Sequence, residues 1–276
     1  MKQPCTERYA RWCERTAANH RLLLDVDGTL LKFGNKELSE KTRKALLALQ
    51  RNLVLICMAT GRSNPLVPHF QGVEFDVLLT FNGSYVRAGE EVLFKNPLDA
   101  KDKQRILQNL KNMNRAIAIG NEDFVVTNGT EPDLEQYFAF GNETIHIVDD
   151  FDARCKGDIY QIMCACRKPE YDQVLEGTDK IRITAWWEKA VDIIPKNGGK
   201  GNAVQAVLRH YGFSREEALA FGDGQNDIEM LEAVGTGVAM GNAGDEVKER
   251  ADDICRSVEE DGVYYYCLEH HLIEEM

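Results

Sequence analysis

The sequence predicts an α/β fold: a parallel sheet whose chain is interrupted by an inserted α+β segment. Three observations carry this. Short, mainly apolar runs at Arg21–Val26, Leu53–Ala59 and Asp76–Phe81 alternate with loops and helical periodicity, as buried parallel strands do. The same alternation returns between Gly199 and Ala251. Between about Arg87 and Ile194, strands and close turns follow one another instead, which marks antiparallel pairing.

In chain order, RLLLDV is too short for a helix, is rich in branched apolar residues and stops at Gly28, so it reads as a buried strand. Ser39 is a candidate N-cap for the next helix, where Ala45, Leu46 and Leu49 fall at helical spacing. LVLICMA and DVLLTF are further buried strands, ending at Thr60–Gly61 and Asn82–Gly83. Tyr85–Phe94 reads as a hairpin turning at Ala88–Gly89. Helices follow at Ala100–Asn112 and Glu170–Glu176, with strands at Ala116–Ile119, Phe124–Thr127, Ile159–Cys166, Ile181–Trp187 and Ala190–Ile194. Beyond them come a helix over Gly199–Tyr211, a strand over Ala218–Phe221 and a helix over Asp227–Ala233. A strand over Gly237–Met240 and a helix over Asp245–Ala251 complete the reading. The expected division is a discontinuous core, residues 1–86 and 195–276, around an insertion at 87–194. Ahead of Arg21, residues Tyr9, Trp12, Cys13 and Thr16 recur at i, i+3, i+4 and i+7. That spacing suits an amphipathic helix, packed on the core or against another subunit.

The 276 residues include 45 acidic and 33 basic side chains, a net charge of −12. This balance argues against sequence-independent nucleic-acid binding and against a polybasic membrane surface. No apolar run approaches the ~18 residues of a transmembrane helix. The first residues lack the apolar stretch of a secretory signal. The 8 cysteines form no C-x-x-C pair, so zinc-site spacing is absent and reduced thiols in a cytoplasmic protein are expected.

Four motifs fall at predicted strand ends. Asp25-Val26-Asp27-Gly28-Thr29 places two carboxylates one residue apart, where they need a cation or a shared proton. A hard, oxygen-ligated ion such as Mg²⁺ fits; the bland reading is a solvated acidic turn. Thr60-Gly61-Arg62 offers a hydroxyl, a close backbone N–H and a helix start, suited to a phosphate, although alone it is an ordinary turn. Lys200 stands between glycines at a helix start, where a cation is unfavourable unless an anion is held there. Gly222-Asp223-Gly224-Gln225-Asn226-Asp227 adds two carboxylates and an amide, with Asp227 also a possible N-cap. Parallel strands bring such ends to one edge, which is where open α/β sheets bind ligands.

DVDGT, TGR, GGKGNAV and GDGQND, in this order, resemble the four motifs of the haloacid dehalogenase-like (HAD) superfamily of phosphohydrolases. The insertion after Asn82-Gly83 resembles the type IIB cap of its Cof-type subfamily, and the likeness runs from about Arg21 to the C-terminus. It implies a Rossmann-like core with an inserted cap, and a Mg²⁺-dependent phosphatase acting on a small phosphorylated metabolite such as a sugar phosphate. It further implies Asp25 as nucleophile and Asp27 as acid and base. Mg²⁺ would be held by the Asp25 and Asp223 carboxylates and the Asp27 backbone carbonyl. Thr60, Gly61, Lys200, Asn226 and the Val26 N–H would hold the phosphoryl oxygens, with Asp227 supporting the metal and Lys200.

The motif set does not name a substrate or an oligomeric state; monomer and homodimer are both open. A phosphomutase would need a second phosphate site in the cap, and Arg87, Arg105, Arg115, Arg154, Arg167 and Arg182 are scattered. A catalytically inactive phospholigand-binding regulator would be expected to lack an Asp or the Lys. The leaving group is expected between the cap and the Asn82–Gly83 loop, with Trp186, Trp187 and Glu188 as candidate cap contacts.

A net charge of −12 hinders long-range capture of an anionic substrate, so attraction must come from local groups. The expected outcome is a kcat/KM for phosphate esters that changes little as salt is raised moderately. A steep fall would reveal a basic approach path.

Overall fold

The structure, a computed structural model, describes residues 21–275 except 33 and 142. The periodicity at Tyr9, Trp12, Cys13 and Thr16 lies outside the described residues. Strands β1 (Arg21–Leu24), β2 (Leu55–Ala59) and β3 (Val77–Thr80) are followed by β4 (Tyr85–Ala88) and β5 (Glu91–Lys95). These five join β11 (Ala218–Gly222), β12 (Thr236–Ala239) and β13 (Asp253–Ile254) in one eight-stranded sheet, ordered β13-β12-β11-β1-β2-β3-β4-β5.

β1 sits inside this sheet, parallel to both β11 and β2. Its leucines explain why the run is apolar throughout. Leu22 and Leu24 pack into one hydrophobic layer with Ala45, Leu46 and Leu49 of helix α1 (Glu40–Arg51). Leu23 faces the other layer, with Ala203, Val204 and Val207 of helix α6 (Lys200–Tyr211). A strand covered on both faces has no polar alternation to show. Helix α1 starts as expected: the Ser39 side chain accepts a hydrogen bond from the Thr42 N–H at 3.0 Å. Leu24 lies in register with Met58 of β2 and Phe221 of β11. That register carries Asp25, Thr60 and Asp223, each just past its strand, to one edge.

The second sheet is antiparallel: β7 (Val125–Thr127), β6 (Ala118–Gly120), β8 (Gln161–Ala165), β10 (Ala190–Pro195) and β9 (Ile181–Trp187), in that spatial order. Helices α2 (Ala100–Asn112) and α5 (Tyr171–Leu175) cover one face through Ile106, Leu110 and Val174. Helix α3 (Pro132–Phe140) packs Leu134 and Phe138 on Ala118 and Met163. The short helix α4 (Phe151–Arg154) precedes β8. Helices α7 (Ile228–Ala233), α8 (Asp245–Arg250) and α9 (Gly262–Glu269) return to the first sheet. Among the described residues no helix is long and apolar enough to cross a membrane.

One expected boundary moves. The division at Arg87 cuts through β4, which pairs antiparallel with β3 from Thr80–Tyr85 to Leu78–Arg87. The hairpin β4–β5 therefore extends the first sheet. Antiparallel pairing alone made it read as part of the insertion. The chain crosses to the second sheet only after Lys95, and β10 ends at Pro195.

A buried polar knot joins the two sheets. Asn82, at φ 52° in the turn after β3, donates through Nδ2 to Asp192 Oδ2 at 3.2 Å and to Gln161 Oε1 at 3.4 Å. Its Oδ1 accepts from Asn226 Nδ2 at 3.0 Å. The Tyr137 hydroxyl donates to Asp192 Oδ1 at 2.5 Å. Burial pushes the Asp192 carboxyl up to about 6, while its donors Tyr137, Asn82 and Gln161 pull it down.

A carboxyl raised in the fold is protonated there at a pH where it is already ionised in the unfolded chain. Its contribution to stability is therefore present below about pH 4 and is lost as pH rises towards about 6. Asp192→Asn should remove a pH-dependent loss on the order of 2 kcal/mol across that window. Thermal melts of both proteins between those pH values check this, and parallel curves would contradict it.

Candidate active site

The site lies at the edge where β1, β2 and β11 end. Lys200, the first residue of α6, is 0% exposed. Its ammonium donates to Asp25 Oδ1 and Asp227 Oδ1, both at 2.5 Å. This explains a lysine at a helix start: the two carboxylates outweigh the unfavourable helix dipole. Burial works against the Lys200 charge, but Asp227 and Asp25 more than offset it and hold its pKa above the usual lysine range. Asp25 is pushed well above the ordinary carboxylate range by burial and then by Asp227, against the pull of Lys200. Asp223 is pushed up to about 7 by burial and then by Asp227, while Thr29 pulls it down.

Three carboxylates and one lysine leave the cluster with excess negative charge. Oxygens of Asp25, Asp223 and Asp227 lie within 4.8 Å of one another. Asp227 is already committed: Oδ1 to Lys200, Oδ2 to the N–H groups of Asp223 and Gly224 at 3.0 and 2.9 Å. Asp25 and Asp223 are therefore the carboxylates best placed to hold a cation, and a hard oxygen-seeking ion such as Mg²⁺ fits this donor set. Gly28 is required here twice over. Its φ is +90°, and a Cβ would stand 2.1 Å from Asp223 Oδ2.

The Asp27 side chain turns elsewhere. Arg62 grips it with both arms of its guanidinium, Nε to Oδ2 at 2.9 Å and Nη2 to Oδ1 at 2.7 Å. Arg62 also reaches the second unit, where Nη1 donates to the Gly141 carbonyl at 3.4 Å and lies 3.9 Å from Glu143. The Thr60 hydroxyl accepts from the Arg62 N–H at 3.1 Å, and Thr60 is 1% exposed. Gly61 lies against Asn82, where a Cβ would meet Oδ1 at 3.1 Å. Val26 is fully buried, and its carbonyl accepts from the Leu30 and Leu31 N–H groups.

The structure thus gathers Asp25, Lys200, Asp223 and Asp227 directly, with Thr60, Gly61 and Asn226 at the rim through Arg62 and Asn82. Gly83 is not among them. It is buried, and a Cβ there would stand 2.6 Å from the Gly199 carbonyl, so it lets the turn pack on the start of α6. Asn82 is spent on the knot and is 1% exposed, so it offers a leaving group little surface. Trp187 lies in the second unit, half-buried against Phe140.

Two residues were not singled out from sequence. Arg62 closes the TGR motif, and its neighbourhood to Thr60 and Gly61 was the available signal. Asn242 Nδ2 donates to the Gly28 carbonyl at 2.9 Å and to Asp223 Oδ2 at 3.2 Å. It follows β12, another parallel strand end. A cavity of about 360 Å³ adjoins the site, sharing Asn82 and Asn226 and lined further by Arg182, Thr184 and Glu229. Asp25, Asp27 and Lys200 do not line it.

Comparisons with known proteins give the family of the chain. The chain is 29% identical over 265 residues to the 5-amino-6-(5-phospho-D-ribitylamino)uracil phosphatase YitU of Bacillus subtilis (strain 168), covering 90% of this chain and 96% of that one. It is 30% identical over 234 residues to an HMP-PP phosphatase of Citrobacter koseri, covering 79% and 83%. The solved structure of the HAD subclass IIB sugar phosphatase BT4131 superposes with a TM-score of 0.82 at 26% identity, covering 92% of this chain and all of that one. Residues 22–267 match the haloacid dehalogenase-like hydrolase family. The match spans both the parallel sheet and the inserted subclass IIB cap: the chain belongs to the haloacid dehalogenase-like hydrolases, as a phosphatase.

Proposed function

We propose that this protein is a Mg²⁺-dependent phosphatase of a small phosphorylated metabolite, a sugar phosphate or a similar ester, and that it works through an aspartyl-phosphate on Asp25. The observation that carries this is the buried Lys200, 2.5 Å from Asp25 and from Asp227 beside Asp223.

In this reading Asp25 attacks phosphorus, the ester oxygen leaves, and water later releases the phosphate. Lys200 orients the Asp25 carboxylate and neutralises charge on the phosphoryl oxygens. Thr60, the Gly61 N–H, the Val26 N–H and Asn226 share those oxygens. Asp27 gives its proton to the leaving alcohol and afterwards takes one from water. For that it must exchange its Arg62 partner for the substrate, and the Arg62 contact to Gly141 ties this exchange to movement of the cap. Mg²⁺, held by Asp25 and Asp223 with the Asp27 carbonyl, would supply further charge neutralisation to phosphoryl transfer. The relatives named above, which include a sugar phosphatase, support a small ester as substrate.

A phosphomutase is disfavoured by the pairing of four of the second unit's five arginines, all but Arg105. Arg115 pairs with Glu131 and Glu170, Arg167 with Asp133, Arg154 with Asp150 and Arg182 with Glu229. Each of these is matched to a carboxylate, where a second phosphate site would need free positive charge. A binding protein without turnover is disfavoured by the intact Asp25, Asp27 and Lys200.

The test is phosphate release from a panel of phosphorylated metabolites with Mg²⁺. Turnover should vanish with chelator, return with Mg²⁺ and fall to the no-enzyme background in Asp25→Asn. Unchanged turnover by Asp25→Asn would refute the nucleophile.

A further inference from the structure

Next to Gly141, the residue that Arg62 reaches from Asp27, the second unit presents a cluster of rings that the proposed chemistry leaves unused. Phe140 lies 5.6 Å from Trp186 and 5.1 Å from Trp187, both edge-on. Trp186 and Trp187 stack at 6.5 Å, and Tyr137 lies 5.2 Å from Trp186. Among the described residues five large hydrophobic side chains are exposed, and Trp186 at 42% and Phe140 at 38% are the two aromatic ones. The two exposed rings adjoin, which makes them a candidate surface for a flat ligand.

The position of the cluster says what it faces. Tyr137 holds Asp192, and Asp192 is tied to Asn82 of the first unit, so Tyr137 stands on the core-facing side of the second sheet. Trp186 packs on Tyr137 and shares that side. Phe140 immediately precedes Gly141, whose carbonyl receives the arm of Arg62, and Arg62 grips Asp27. Asp27 is the group proposed to protonate the leaving alcohol, so the leaving group must lie beside it.

We propose that Trp186 and Phe140, backed by Trp187 and Tyr137, form a stacking platform that selects phosphate esters whose leaving group carries a flat, conjugated ring. This rests on the phosphatase reading and narrows its small ester to one bearing a flat ring, in place of a sugar phosphate. Tyr137 is anchored by its hydroxyl, which fixes the ring beneath Trp186, so the platform is preorganised. The polar cavity at the Arg182 end of β9 is the competing seat, suited to a hydroxyl-rich leaving group.

A matched pair tests this: benzyl phosphate and cyclohexylmethyl phosphate, equal in reach and similar in size, differing in ring flatness and conjugation. Wild-type kcat/KM should favour benzyl phosphate by about tenfold, within the range of one stacked ring. Trp186→Leu and Phe140→Leu should each bring that ratio towards one, with thermal melts confirming the fold. Equal values in the wild type, or a ratio that survives both substitutions, would overturn the platform. So would a ratio that Arg182→Ala abolishes and Trp186→Leu does not. If neither ester is hydrolysed, the phosphatase reading is what fails for these esters. The platform is then judged by tryptophan fluorescence: benzyl phosphate should quench the wild type more than Trp186→Leu, and no quenching would overturn it.

Discussion

Lys200 is fully buried with a carboxylate 2.5 Å away on either side, and much of the fold exists to make that tolerable. Desolvating an ammonium and two carboxylates costs several kcal/mol per ion, and their attraction compensates only when the geometry is held. Three separate elements hold it. The end of β1 fixes Asp25, the start of α6 fixes Lys200, and the loop after β11 fixes Asp227 through its bonds to two backbone N–H groups. Removing one partner from such a set typically costs about 3–5 kcal/mol, because the others stay buried and unpaired. A cluster this expensive is weak evidence for stability and stronger evidence for chemistry. One lysine does not balance three carboxylates, and burial, followed by repulsion from Asp227, raises the Asp25 and Asp223 carboxyls.

The central part of this arrangement was legible in the sequence because it depends on register alone. Parallel neighbours in a doubly wound sheet end at one edge, so Asp25, Thr60 and Asp223, each just past an apolar run, had to meet. The lysine was legible as an anomaly, a cation at a helix start. What depends on contacts between distant residues was not legible. The hairpin β4–β5 looked like part of the insertion because pattern shows that strands pair antiparallel, and not which sheet they join. Helix α9, with its three successive tyrosines, lacks a clear polar face and gave no helical periodicity. Gly83 read as a loop glycine near substrate because its packing on Gly199 is set by a residue more than a hundred positions away. The grip of Arg62 on Asp27 has the same cause.

The second unit is coupled to the chemistry at two points of different character. At Asn82 the coupling is buried and made of hydrogen bonds, a set of amides around the Asp192 carboxyl that also positions Asn226. At Arg62 it is ionic and part-exposed, linking Asp27 to Gly141 at the end of helix α3, next to Phe140. The first is suited to hold the two sheets in register and the second to break and reform in a turnover cycle. Thr184, Tyr137 and Trp186 are carried by the second unit, whereas Asp192 also holds Asn82 of the first.

The most direct measurement is chemical trapping on Asp25. Asp27→Asn protein, in which release of the phosphorylated intermediate should be slow, is mixed with Mg²⁺ and a hydrolysed substrate, quenched in acid and digested for mass spectrometry. The expected result is one phosphoryl group on the peptide containing Asp25, absent when Mg²⁺ is withheld. Phosphoryl transfer to another residue would contradict the central role given to the Asp25–Lys200 pair. So would hydrolysis by an enzyme that never carries phosphate.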